Sequence, residues 1–177
     1  TFLKLYYILG RLFRMRYYAI YRVNPRGMTR KKYLVLGGCS SRLAIDFLPI
    51  LSQSNHVSTT FRSCSAQKID IMNEAFYYEP RKAKLKDIFM SYRPNVVINC
   101  IGTKTTDKNR SKRVNIDVVS DIIELAEDCK LAGKNFHVVQ MSAMEVYGFG
   151  WHGHRDESSP VTPNTLYGEH KLMAEEK

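Results

Sequence analysis

The sequence predicts an α/β fold, a doubly wound parallel sheet, on three observations. Apolar runs of strand length alternate with helical amphipathic segments along residues 31–177. The first run leads into a turn of small residues and then a helix. A later run, NVVINC at residues 95–100, is apolar without alternation, as in a strand covered on both faces. At 177 residues the chain suits one well-buried domain.

Residues 1–30 form an extension ahead of that domain, which is placed at residues 31–177. The stretch TFLKLYYILGRLFRMRYYAIYRV is basic, aromatic and free of acid. Wound at 100° per residue, it puts Lys4, Arg11, Arg14 and Arg22 on one side and Leu5, Leu9, Leu12, Phe13 and Ile20 on the other, with Arg16 as the misfit. Such a helix suits a membrane surface, a mitochondrial presequence or an acidic partner, or it docks on its own domain. Asn24, Pro25, Arg26 and Gly27 then break it.

Within residues 31–51, KKYLVLGGCSSRLAIDFLPIL, residues 33–36 read as a buried strand. The following helix carries Leu43, Phe47, Leu48 and Leu51 at core spacing. A phosphate can rest on a helix N-terminus only where backbone N–H groups are open and no Cβ blocks the approach. We place the Gly-rich fingerprint on Gly38, Ser41 and Ala44, because starting at Gly37 would put Leu43 where the helix must pack closest. Ala is accepted in the third slot. Ser41 adds a side chain in the second, costing about 1–2 kcal/mol if that slot needs φ > 0. The residues set to meet a dinucleotide here are Gly37, Gly38, Ser41, Arg42 and Leu43.

Residues 56–61, HVSTTF, read as the second strand, followed by Arg62. Dinucleotide folds place an acid near this point for the ribose 2′-hydroxyl, or an Arg for a 2′-phosphate. With Arg62 and no acid, any cofactor is expected to be NADP rather than NAD. A third strand is expected over residues 68–71, with Asp70 and Ile71 facing the adenine. Leu85, Ile88 and Phe89 mark a helix over residues 80–94 closed by Pro94. Residues 115–131 form a helix with Val118, Ile122, Leu125 and Ala126 on its core face and acids outside, and residues 135–141 are the fifth strand.

Charge is unevenly distributed. Residues 1–45 hold ten Lys or Arg and no acid, so the formal net charge of +10 belongs to the N-terminal part and residues 46–177 are neutral. This argues against a nucleic-acid-binding face on the domain itself. Cys39, Cys64, Cys100 and Cys129 are widely spaced without C-x-x-C, which reads as reduced thiols rather than a disulfide or zinc frame. Trp151, His152, His154 and Asp156 lie in a polar loop over residues 148–163. His152 and His154 form an H-x-H, but no third ligand is fixed, so no metal is expected.

From residue 93 onward the chain resembles the extended short-chain dehydrogenase/reductase superfamily, especially its dTDP-4-dehydrorhamnose-reductase-like and nucleotide-sugar epimerase branches. The matching pieces are RPNVVINCIGTKTTDK, RVN at residues 113–115, SAMEVYG at 142–148 and TPNTLYGEHKLMAEE at 162–176. They are collinear, and the match extends over about residues 32–177. The resemblance implies a Rossmann-like domain in which Tyr167 of Y-x-x-x-K exchanges a proton with the substrate. Lys171 would lower the Tyr167 pKa and hold the cofactor ribose. Asn115 matches the Asn that supports the proton path. The family's catalytic Ser or Thr falls on Ala143, and Ser142 should face the other way. Superfamily members continue beyond this helix into a substrate-binding region. The chain ends at Lys177 inside the helix, so that region is expected in a longer chain or from another subunit.

Two functions follow. One is a degenerate member kept as an accessory subunit of a larger mitochondrial membrane assembly, of the respiratory complex I type, with other subunits as partners and residues 1–23 at the membrane surface. The strand NVVINCIG resembles its counterpart in that complex's dehydrogenase-like subunit. The other is an NADP-dependent nucleotide-sugar reductase or epimerase using Tyr167 and Lys171, for which a cytoplasmic address would serve. Ala143 and Ser41 favour the first, and Tyr167, Lys171 and Asn115 favour the second.

Overall fold

The computed structural model describes residues 30–39, 41–61, 74–77, 82–134, 136–150 and 153–177. Five parallel strands form one sheet in the order β3-β2-β1-β4-β5. They are β1 (Lys32–Leu36), β2 (His56–Phe61), β3 (Glu74–Tyr77), β4 (Val96–Asn99) and β5 (His137–Gln140). The helices between them are α1 (Arg42–Ser52), α2 (Lys82–Tyr92), α3 (Lys108–Lys112), α4 (Val118–Leu131) and α5 (Leu166–Glu175). The doubly wound parallel sheet expected from the sequence is therefore present.

Alternation along β1 divides the core between the two faces. Leu34 and Leu36 join Val97 of β4 and a layer from α2 and α4: Leu85, Ile88, Phe89, Val118, Ile122 and Leu125. Val35 points the other way, into a smaller cluster with Val57, Ala44 and Leu48. Leu36, Asn99 and Gln140 lie level across β1, β4 and β5, so these strands end together. The strand order reverses direction between β1 and β4. In open α/β sheets that switch point, outside the carboxyl ends of the strands, is where a crevice forms.

Several expectations need correction. The segment expected at residues 115–131 is longer and interrupted: α3 runs into a π-turn (Arg113–Asp117) that continues as α4. Asp121 is not on the outer face but buried, with Arg113 at 3.8 Å. Burial pushes its carboxyl up, and Arg113 partly offsets this. The strand that pairs with β2 is Glu74–Tyr77. The strand expected at 68–71, the extension over 1–23, its break at 24–27, Arg62, Asp70, Ile71, Cys64, Trp151 and His152 lie outside the described residues. Cys39, Cys100 and Cys129 are free thiols. Among the described residues no helix is long and apolar enough to cross a membrane, and no three His, Cys, Asp or Glu gather as a metal site.

Candidate functional site

The segments that follow β4 and β5 meet α5 at the carboxyl end of the sheet, where β1 also ends. After β1, Gly37 takes φ +73°, a left-handed conformation, and its N–H donates to Thr60 Oγ1 at 2.7 Å. Gly38 is the crowded position: a Cβ there would lie 2.1 Å from Thr59 Oγ1. The left-handed turn thus falls on Gly37, one residue before the Gly38 on which the fingerprint was placed. The close helix packing falls on Ala44, which is fully buried.

At Ser41 the condition of a left-handed backbone is not met. Its φ is −86°, so it carries no left-handed strain; it is the N-cap of α1 and accepts the Ala44 N–H at 3.3 Å. Arg42 is exposed and Leu43 half-buried on the first turn of α1, which contains no acid. A helix N-terminus without a carboxylate suits a phosphate, so the turn fits the pyrophosphate of a dinucleotide.

The opposite wall is made by the segment after β4. Buried Asn99 donates to Gln140 Oε1 at 2.8 Å and accepts the Ile101 N–H at 3.1 Å. Gln140 donates to the Met141 carbonyl at 2.7 Å. These bonds aim two carbonyl oxygens inward, and Lys171 of α5 donates to both, Ile101 O at 3.3 Å and Met141 O at 3.0 Å. An ammonium has three donors, so one remains for a ligand. Burial pushes Lys171 down to about 8, and the neighbouring Cys100 and Glu175 oppose that.

Tyr167 lies one turn before Lys171, whose Nζ is 5.9 Å from the ring centroid. A Cβ at Gly102 would stand 3.2 Å from the Tyr167 hydroxyl and 3.5 Å from Lys171 Nζ. Glycine at 102 therefore leaves room for the Tyr167 hydroxyl, while Lys171 would meet a Cβ there only in ordinary contact. Lys104 Nζ lies 5.3 Å from the centroid of the same ring and pairs with Glu145.

The expected effect of Lys171 on the phenol does not hold. Tyr167 is pushed up, first by burial and then by Glu145. Burial is the main physical reason, because it disfavours the phenolate; the Glu145 carboxylate adds to it, while the Lys171 ammonium is engaged by two backbone carbonyls.

Asn115 sits in the π-turn and is buried. Its Oδ1 accepts the Thr103 N–H at 2.9 Å, and its Nδ2 donates to Thr103 O at 3.0 Å and Ser111 Oγ at 3.0 Å. Its direct task is to hold the 101–105 segment. π-turns often occur at functional sites, because the extra residue turns a side chain off the helical register. Ala143 follows β5 in extended conformation and begins a 3-10 turn (Met144–Tyr147). Ser142 donates to Glu175 of α5, so its hydroxyl is committed elsewhere, as the alternation predicts.

Sequence reasoning missed Asn99, Gln140, Gly102, Lys104 and Glu145 as parts of this site. A polar residue closing an otherwise apolar strand, as Asn99 and Gln140 do, was the available signal. Cys100, also at this end of the sheet, is pushed up to about 12 by burial, against lesser opposing effects of Lys171 and Ser41. It is held as a thiol.

A 3-2-1-4-5 parallel sheet with a glycine turn after β1 and a Tyr–Lys helix against β4 and β5 is a dinucleotide-binding Rossmann-type fold. The chain belongs to the NAD-dependent epimerase/dehydratase family, whose sequence profile matches residues 52–177, within the extended short-chain dehydrogenase/reductase superfamily.

Solved structures of the same fold include the UDP-Glc/GlcNAc 4-epimerase of Campylobacter jejuni, at 19% identity and TM-score 0.69 over 82% of this chain and 47% of that one. The dTDP-glucose 4,6-dehydratase of Bacillus anthracis, in complex with NAD, is similar at 20% identity and TM-score 0.66, over 82% and 48%. A hypothetical dTDP-4-dehydrorhamnose reductase from Sulfolobus tokodaii is 21% identical with TM-score 0.66, over 84% and 51%. The chain therefore spans about half the length of these structures. A search among curated proteins finds no match.

Proposed function

We propose that this chain is a catalytically disarmed member of its family, which holds a nicotinamide nucleotide and serves as an accessory subunit of a larger assembly. The end of β5 carries the reading. Ala143 presents a methyl group where the family's Ser or Thr stands, and the one neighbouring hydroxyl, Ser142, is bonded to Glu175. Loss of a positioned polar group that steadies a substrate oxygen costs on the order of 10²-fold in rate or more. Burial, and then Glu145, push the Tyr167 phenol up, which makes it a poorer general base.

Bound at the β1 turn, the nucleotide would supply hydride chemistry, while Lys171 would hold its ribose with the remaining donor. Arg62, and the lack of any acid between β2 and Asp70, favour NADP. The assembly is read as mitochondrial and membrane-associated, of the respiratory complex I type, from the basic, acid-free residues 1–23 and the NVVINCIG strand.

A second reading is a working nucleotide-sugar reductase or epimerase. The joint packing of Tyr167 and Lys171 against Gly102 favours it, because this geometry is what proton exchange requires. Native mass spectrometry of the protein gently isolated from its source, combined with turnover assays on UDP- and dTDP-sugars, separates the two. The expected result is retained nucleotide in a complex of different subunits, with no turnover by the unmodified chain. Turnover by that chain would overturn the proposal. Turnover appearing only with Ala143→Ser would identify a recently lost enzyme.

A further inference from the structure

We infer that Ser111 and His170 are positioning residues that act through Asn115 to set the 101–105 segment, with the His170 ring hydrogen on Nε2. The inference follows from satisfying each donor in turn. Thr103 N–H needs an oxygen and Thr103 O needs a hydrogen, which fixes the Asn115 amide with Oδ1 at 2.9 Å and Nδ2 at 3.0 Å from them. The second Nδ2 hydrogen then goes to Ser111 Oγ at 3.0 Å.

Ser111 is fully buried, so its own hydrogen must find an acceptor inside the protein. The acceptor in reach is His170 Nδ1 at 2.8 Å. An acceptor at Nδ1 requires the hydrogen on Nε2.

The relay thus runs from α5 through α3 and the π-turn to the backbone beside Gly102. His170 lies between Tyr167 and Lys171 on α5, so the helix that carries those two groups also holds the wall they face. Any effect on nucleotide binding rests on the function proposed above; the relay itself does not.

The test uses the full chain, with 15N-labelled histidine for the tautomer and hydrogen exchange for the Thr103 amide, at about pH 8, above the ordinary imidazole range. The expected tautomer is Nε2–H. Ser111→Ala and His170→Leu should speed Thr103 exchange about tenfold, the loss of one ordinary hydrogen bond. His170→Asn should restore the unmodified rate, because its amide oxygen takes the place of Nδ1 as acceptor.

NADPH affinity should follow the same order across the variants. An Nδ1–H tautomer, or His170→Leu and His170→Asn behaving alike, would overturn the inference. If Ser111→Ala does not fold, the two variants at half-buried His170 still decide it. NADPH failing to bind while Thr103 exchange follows the predicted order would defeat the proposed function and leave the relay standing.

Discussion

The turn after β1 and the junction of β4, β5 and α5 lie at the same end of the sheet but are built differently. The first is made by backbone: a left-handed Gly37, a Gly38 with no room for a Cβ, and a capped helix start. The second is made by side chains, in which Asn99, Gln140, Asn115 and Lys171 each fix a backbone carbonyl or amide. The difference teaches where function can be lost without losing the fold. Under the function proposed above, Ala143 lacks one hydroxyl in the second region and disturbs none of these bonds, whereas glycine substitutions should damage either region.

The largest expected effect is at Gly168 of α5. A Cβ there would lie 2.4 Å from the Glu145 carbonyl oxygen, so α5 must back away from the 3-10 turn. Gly168→Ala should lower stability by about 3 kcal/mol, read by urea denaturation. Gly38→Ala should cost about 2 kcal/mol, because its Cβ meets Thr59 Oγ1, a short side chain that is fully buried and donates to Val35 O at 2.9 Å. Here the obstacle is a side chain. Adding Thr59→Ala should therefore recover part of the loss in a double-mutant cycle, which would be non-additive. A strictly additive result would place the strain in the backbone and weaken the contrast with Gly168.

Lys171 probes the electrostatics of the second region. Its folded pKa, about 8, lies below the ordinary lysine value of 10.5 because burial disfavours the charged form. Between these values the unfolded chain binds the proton more fully, so stability rises with pH. We expect a gain of about 1–2 kcal/mol from pH 7 to just below pH 10, and a flatter profile in Lys171→Met. Denaturation at both pH values checks the sign. An unchanged slope in the variant would show that the ammonium is not desolvated.

Much of this contrast was legible in the sequence only in outline. The strands of the core are continuous apolar runs, so burial alone reveals them, and residues 56–61 form β2 as read. Tyr167, Lys171 and Ala143 were found because the family resemblance carries them in short local motifs. What escaped depends on partners far along the chain. The π-turn exists where Asn115 reaches Thr103, 12 residues earlier, and Asp121 is buried beside Arg113, which no helical wheel ranks inward. β3 is short and opens with Glu74, so it carries little strand signal. Between two adjacent glycines, only the course of the backbone decides which is left-handed, a choice with no local signal, whereas the close packing of Ala44 rather than Leu43 follows the spacing as read.

The smallest effect isolates that choice. At Gly37 an alanine must adopt φ near +73°, which costs about 1 kcal/mol, and its Cβ would also come 3.1 Å from Ile101 Cγ1. Asparagine presents the same Cβ to Ile101 but tolerates the left-handed region, since its short amide can bond locally. If conformation dominates, Gly37→Asn should be measurably more stable than Gly37→Ala, and thermal denaturation of the two variants compares them directly. Equal losses would assign the cost to Ile101 instead. The turn after β1 would then depend, like the junction opposite, on what its neighbours place against it.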